Sequence, residues 1–336
     1  MINFKNNKFK GRIHYYYDEN NNVFSHGRKL TLVNNGIKYI YNFNNFITRL
    51  LYRVSLLKRL FRLDRINVVK TSDSDYLIIC NRKVYQIRNT ELNFKFKFPF
   101  TKYVHPNNIC VNKNTIVIGE YGDSKSKYNV GVFVSKNKGV SWQKKILFSK
   151  GEIKQILSVY FDKYTNNYWV FTGDSKRESK IYLFDQNWNL KTKLGQNNLK
   201  YRAISAFFFK KHVIWCMNNP FGKSYVIKYM RDKHEIIKGE YLPGPAWYST
   251  LANDKIYISI ASEVSYYNND VYLMSSSDAE NWNVEKIFKK DIYSKKLFLH
   301  GLLTFTKYSA FKNSLLFFCE AVSKFDGYTV KFLYEK

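Results

Sequence analysis

The chain has 336 residues, of which 45% are apolar and 18% aromatic, so it can bury a sizeable core and is not disordered by composition. Fifty-five Lys and Arg against 26 Asp and Glu give a net charge of +29. That balance excludes an acidic, calcium-sponge type of protein and favours anionic partners: nucleic acid, phospholipid head groups, sugar phosphates or acidic glycans.

In chain order, the start Met1-Ile2-Asn3-Phe4-Lys5 runs into a polar stretch without an apolar signal core. No segment has the roughly 18 uninterrupted apolar residues of a membrane span. A cytoplasmic protein is expected, soluble or peripheral on the inner membrane face. Residues 46–65, FITRLLYRVSLLKRLFRLDR, lack Gly and Pro and follow a possible Asn N-cap, which predicts a helix. Ile47, Leu50, Leu51, Val54, Leu57 and Phe61 share one helical face, and Arg49, Arg53, Lys58, Arg59, Arg62 and Arg65 are opposed only by Asp64. Such a helix suits either packing across the domain or an anionic membrane surface.

Beyond residue 66 the pattern is strand. Short Val/Ile/Phe/Tyr runs at 77–79, 115–118, 168–171, 213–215, 255–258 and 315–318 are bracketed by turn residues. They recur every roughly 40 to 55 residues, the range of propeller blades. Residues 157–194 divide into four hairpin-linked strands, which defines one blade. The last repeat lacks its outer strand, and N-terminal strands near 13–17 and 29–33 are expected to complete it. The predicted fold class is therefore all-β: one domain over 1–336, a single β-propeller of five or six four-stranded blades with one basic helix.

The four cysteines, Cys80, Cys110, Cys216 and Cys319, lie far apart, three of them in apolar runs, and read as buried free thiols. Phosphate-cradling glycine loops, H-E-x-x-H and G-x-S-x-G are missing, so neither a cofactor nor a metal is called for. Nucleic acid is set aside because the aromatics sit inside strand runs, as core residues do.

Ser135-Lys136-Asn137-Lys138-Gly139-Val140-Ser141-Trp142 resembles the Asp-box, Ser-x-Asp-x-Gly-x-Thr-Trp. Ser276-Ser277-Asp278-Ala279-Glu280-Asn281-Trp282 looks like a version one residue shorter, and Asp185-Gln186-Asn187-Trp188 like an eroded copy. Such a sequence builds a tight hairpin in which the Asp or Asn side chain bonds backbone amides, Gly takes positive φ and Trp packs beneath. The chain thus resembles the Asp-box (BNR-repeat), sialidase-like propellers. With Gly119-Glu120-Tyr121, Thr172-Gly173-Asp174 and Tyr201-Arg202 it is also similar to members encoded near bacterial surface-polysaccharide genes. The early Arg-Ile/Leu-Pro segment of true sialidases has no counterpart, because Arg12, Arg28, Arg49 and Arg53 are not followed by Pro.

In a propeller, loops leaving second strands and entering first strands open on one face. This puts Glu120, Asp174 and Glu320 forward as catalytic carboxylates, with His105, Tyr121, Tyr201, Arg202, Trp247, Tyr248 and His300 as substrate-binding residues. Two carboxylates suit glycosyl chemistry, an arginine fork suits phosphate or carboxylate, and aromatic rings stack on sugars. For each carboxylate the competing role is to cap loop amides or pair with a lysine. The resemblance and the charge together imply a carbohydrate-active enzyme of bacterial surface-polysaccharide assembly or modification. Its substrate would be a carbohydrate or sugar phosphate, and glycosyl transfer at the cytoplasmic membrane face leads. A sialidase-like hydrolase or lyase and a non-catalytic glycan-binding propeller are the alternatives.

Overall fold

The computed structural model describes residues 2, 5–72, 75–99, 101, 104–122, 128–263, 269–309 and 314–333. The fold class is all-β with seven sheets of the propeller-blade type, which corrects the expected five or six. Counted along the chain, blades 1 to 7 span 12–42, 66–97, 109–148, 156–194, 203–242, 246–289 and 302–333. The extra blade comes from the N-terminal strands. They do not serve only to complete the last repeat: Arg12–Tyr16, Asn22–His26, Lys29–Asn34 and Ile37–Asn42 pair with one another as a sheet of their own. The outer strand of blade 7 is instead the short segment Lys8–Lys10, antiparallel to Tyr328–Leu333.

The chain divides into two compact units, one of residues 1–66, 220–222 and 243–336, the other of 67–219 and 223–242. The first holds blades 1, 6 and 7. Thr329 ties blade 7 to blade 1: its hydroxyl accepts from the Ile13 amide at 3.1 Å and donates to the Gly11 carbonyl at 2.7 Å, fully buried. Blade 1 also gains a short parallel strand, Lys307–Ser309. The second unit holds blades 2 to 5, and buried side chains on or just before first strands bond carbonyls of a following blade. Asn108 donates to Ile156 O at 2.7 Å and Ser158 to Ala203 O at 3.3 Å. These contacts tie neighbouring blades together through buried side-chain donors on backbone acceptors.

Burial follows strand position. Tyr76–Cys80 is buried throughout, whereas Glu91–Lys97, the fourth strand of the same blade, is mostly exposed. Trp169 and Trp215 anchor the core between blades 4 and 5, and Asp162, fully buried, pairs with Arg231 at 2.7 Å across the same two blades. The cysteines are free thiols, three of them buried.

Residues 46–65 are two helices, which corrects the expected single one: α1 (Phe46–Leu51) and α2 (Ser55–Leu60). Asn45 caps α1 by accepting from the Thr48 amide at 2.8 Å. Val54 is extended and Arg62 takes φ 53°, so the helical period breaks twice. Two tertiary contacts hold the break. The Tyr52 hydroxyl donates to Asp64 at 3.0 Å, and its ring lies so close to Gly27 that a Cβ there would be 2.3 Å away. Arg59, one of the six basic residues of the segment, is buried and donates to Asp291 and to Phe298 O in the segment carrying α3 (Lys295–Phe298). The apolar face is not packed down: α1 has no buried residue. Among the described residues no helix is long and apolar enough to cross a membrane.

Candidate functional site

The loops between strands three and four fold as the Asp-box spacing predicts. Asn137 Oδ1 accepts from the Ser141 amide at 2.9 Å, Gly139 takes φ 89°, and Trp142 Nε1 donates to Gly139 O at 3.0 Å. In blade 6, Asp278 Oδ1 accepts from the Glu280 and Asn281 amides, both at 2.8 Å, and Trp282 donates to Ala279 O at 3.0 Å. Burial acts against the Asp278 anion, but these amides, the Asn281 side chain and Ser276 prevail and hold its carboxyl well below the usual range. Asp185 accepts from the Asn187 and Asn189 amides in the same place in blade 4.

The expected catalytic and binding residues separate between the two units. In the second unit the structure brings several together across blades 3 to 5. Tyr121 forms a backbone bridge with Gln155, and its ring meets His105 edge-on at 4.7 Å. The Gln155 amide donates to Asp174 Oδ1 at 3.3 Å, Lys154 donates to Oδ2, and Arg202 Nη2 lies 3.8 Å from Oδ1. Arg202 donates in turn to the backbone and side-chain oxygens of Asn218. A polar belt thus runs His105, Tyr121, Gln155, Asp174, Arg202, Asn218. Arg202 is buried, while the Asp174 side chain keeps 37% of its surface exposed. Two atoms of the belt, Gln155 Oε1 and Arg202 Nε, are buried and have no hydrogen-bond partner among the described residues. Gln155, just before a first strand, and Asn218, just after a second strand, carry as much of this geometry as the carboxylates do.

Glu120 is spent elsewhere. It is buried, its Oε2 accepts from the Gly131 amide at 2.9 Å, and Lys144 lies 2.8 Å from the same oxygen. Burial nevertheless raises its carboxyl above the ordinary value, with Lys144 and the Gly131 amide opposing. Tyr201 is buried in the core, its ring 6.4 Å from that of Trp215.

In the first unit Trp247 donates to Glu263 at 3.1 Å and its ring lies 4.8 Å from that of His300 and 5.8 Å from that of buried Tyr248. Burial holds His300 below the ordinary imidazole value; Glu263 opposes this, and Arg65, Arg62 and Lys295 reinforce it. Glu320 ends the second strand of blade 7, paired with Leu302, and is half-buried. Among the described residues no group of three His, Cys, Asp or Glu could hold a metal.

No protein-family model and no curated protein matches the chain. The resemblance to Asp-box proteins therefore rests on the hairpins. Among solved structures, BBS1N in complex with ARL6DN is similar over 97% of this chain and 91% of its own, at 13% identity and TM-score 0.54. BamB from Moraxella catarrhalis matches over 97% of this chain and 85% of its own, at 10% identity and TM-score 0.49. A GH43 β-1,3-galactosidase matches over 68% and 56%, at 13% identity and TM-score 0.44. Likeness at this level of identity concerns the propeller fold alone.

Proposed function

We propose that this propeller binds a saccharide, without turning it over, at the polar belt of blades 3 to 5. The observation that carries the reading is the pair of partnerless buried atoms flanking Asp174, an acceptor on Gln155 and a donor on Arg202. A sugar hydroxyl donates one hydrogen bond and accepts others, so two neighbouring hydroxyls are needed to serve the Gln155 acceptor and a partly exposed Asp174 oxygen while one of them accepts from Arg202. The Tyr121 ring, held edge-on by His105, offers an apolar surface one step along the belt.

Binding is favoured over hydrolysis because both candidate carboxylates of the second unit are already paired. Glu120 is paired with Lys144, and Asp174 with Lys154 and Arg202, so neither is left as a general acid facing a nucleophile. Glycosyl transfer draws no support from this geometry.

The test is a glycan array followed by calorimetric titration of the best oligosaccharide. Gln155→Ala and Asp174→Asn are expected to weaken binding about tenfold each with an unchanged melting temperature, as loss of a charge-assisted or buried hydrogen bond does. Affinity unaffected by both substitutions, or turnover of the bound glycan that Asp174→Asn abolishes, would overturn the reading.

A further inference from the structure

A cavity of about 340 Å³ opens in the first unit between the start of blade 1, the α1–α2 segment and the end of blade 7. Four cations line it, Lys10, Arg12, Arg53 and Lys58, against two carboxylates, Asp64 and Asp326. Both carboxylates are engaged. Asp64 accepts from the Tyr52 hydroxyl at 3.0 Å and pairs with Lys58 at 3.1 Å, and Asp326 accepts from the Ala321 amide at 2.7 Å.

Arg12 is different. It is only 8% exposed, its guanidinium sits 6.0 Å over the Phe318 ring, and among the described residues no hydrogen bond or ion pair engages that guanidinium. A buried guanidinium without an anion is costly, and a phosphate offers the planar fork two acceptor oxygens at once. Lys10 and Arg53 likewise have no carboxylate within ion-pair distance among the described residues, so the cavity keeps uncompensated positive charge.

The helix that leads into this lining carries exposed apolar side chains. Tyr52 and Arg53, which line the cavity, directly follow α1, where Phe46 is 81% exposed, Ile47 64% and Leu50 55%. Arg59 joins α2 to the segment bearing Ile292 and Leu297, both also exposed. A soluble phosphate ester gives no reason for a helix with four apolar residues in six, none of them buried, whereas a bilayer does.

We propose that the cavity takes the phosphate head group of a membrane lipid, with Arg12 as the fork, Lys10 and Arg53 as supporting charges, and the apolar residues of α1 entering the acyl boundary beside it. This site is separate from the saccharide belt and does not depend on it. It goes further than a basic helix resting on an anionic surface, because it predicts preference for an exposed phosphomonoester over equal charge of another kind.

The experiment is flotation of the full chain with phosphatidylcholine vesicles containing no anionic lipid, phosphatidylserine, or phosphatidic acid at matched surface charge. Binding to phosphatidic acid vesicles is expected to exceed that to phosphatidylserine. Arg12→Lys, which keeps charge and loses the fork, and Lys10→Gln, at an exposed position that does not threaten folding, should each bring the two about tenfold closer. Phe46→Ser with Ile47→Ser should weaken binding to both. Equal binding at matched charge, or a phosphatidic acid preference that survives both Arg12→Lys and Lys10→Gln, would overturn the proposal. Calorimetric titration with inorganic phosphate separates the sources: phosphate binding lost in Arg12→Lys without vesicle binding would replace the lipid with a soluble phosphate ligand.

Discussion

Lys144 Nζ lies 2.8 Å from Glu120 Oε2, joining the fourth strand of blade 3 to the loop that leaves its second strand. The contact turns a residue placed where a catalytic acid would sit into part of the blade's internal wiring. Because burial raises the Glu120 pKa, the folded chain holds that proton more tightly than the unfolded chain. Folding then takes up a proton in the window from the ordinary 4.5 to the raised value, and stability from this group falls as pH rises through it. Glu120→Gln should match the parent most closely in acid and gain on it as pH increases, measured by urea unfolding across the acid range. A parent that gains on the variant instead would mean that pairing with Lys144 outweighs burial. Saccharide affinity should not change.

The Asp162–Arg231 pair between blades 4 and 5 has one fully buried carboxylate that also accepts from the Tyr164 amide at 3.0 Å and the Thr165 hydroxyl at 2.7 Å. Arg231→Leu leaves that anion without its cation. A loss of about 3–5 kcal/mol is expected in chemical denaturation. A loss below about 1 kcal/mol would show that the pair is solvent-screened, as surface pairs are.

Asp278 bonds two amides of the blade 6 hairpin. Asp278→Ala should cost about 1 kcal/mol near neutral pH, in line with other side-chain caps and modest because the carboxylate is exposed. Its folded pKa is depressed, so the stabilisation is present above the ordinary 3.8 and is lost as pH falls toward the folded value. Thermal melts of the parent and variant should therefore converge in acid, and divergence there would contradict the hydrogen-bond pattern.

Gly131 stands where blade 3 shifts register, and a Cβ on it would sit 1.9 Å from the Lys145 carbonyl oxygen in the next strand. Gly131→Ala must push the third and fourth strands apart and should destabilise by about 1–3 kcal/mol. It should also move the amide that Glu120 accepts from, so hydrogen exchange at Gly131 and neighbouring amides would rise first. A fully stable alanine variant with unchanged exchange would remove the close-packing explanation.

Local sequence carries whatever depends on near neighbours in the chain. The apolar runs at 115–118, 168–171 and 213–215 form buried second strands, and the hairpins at Asn137 and Asp278 form with the amide acceptors their spacing demands. Turn chemistry and a short continuous apolar run are complete within a few residues, so they can be read before any fold is known. The blade count, the broken helix and the fate of the candidate carboxylates were settled by partners that only the folded chain brings together. Whether the strands near 13–17 and 29–33 complete an old blade or make a new one turns on what pairs with Tyr328–Leu333, and Lys8–Lys10 takes that place across more than three hundred residues. Residues 46–65 carry a helical period without Gly or Pro in sequence, interrupted on its apolar face by Lys58 and Arg65, yet what divides the segment is Arg59 drawn to Asp291 and Tyr52 to Asp64. Gln155 and Asn218 carried no chemical signature of their own, and became part of the belt because adjacent blades set them on either side of Asp174 and Arg202. A carboxylate's role follows from the charges that surround it in space, and only the tertiary structure brings Lys144 to Glu120 and Lys154 to Asp174.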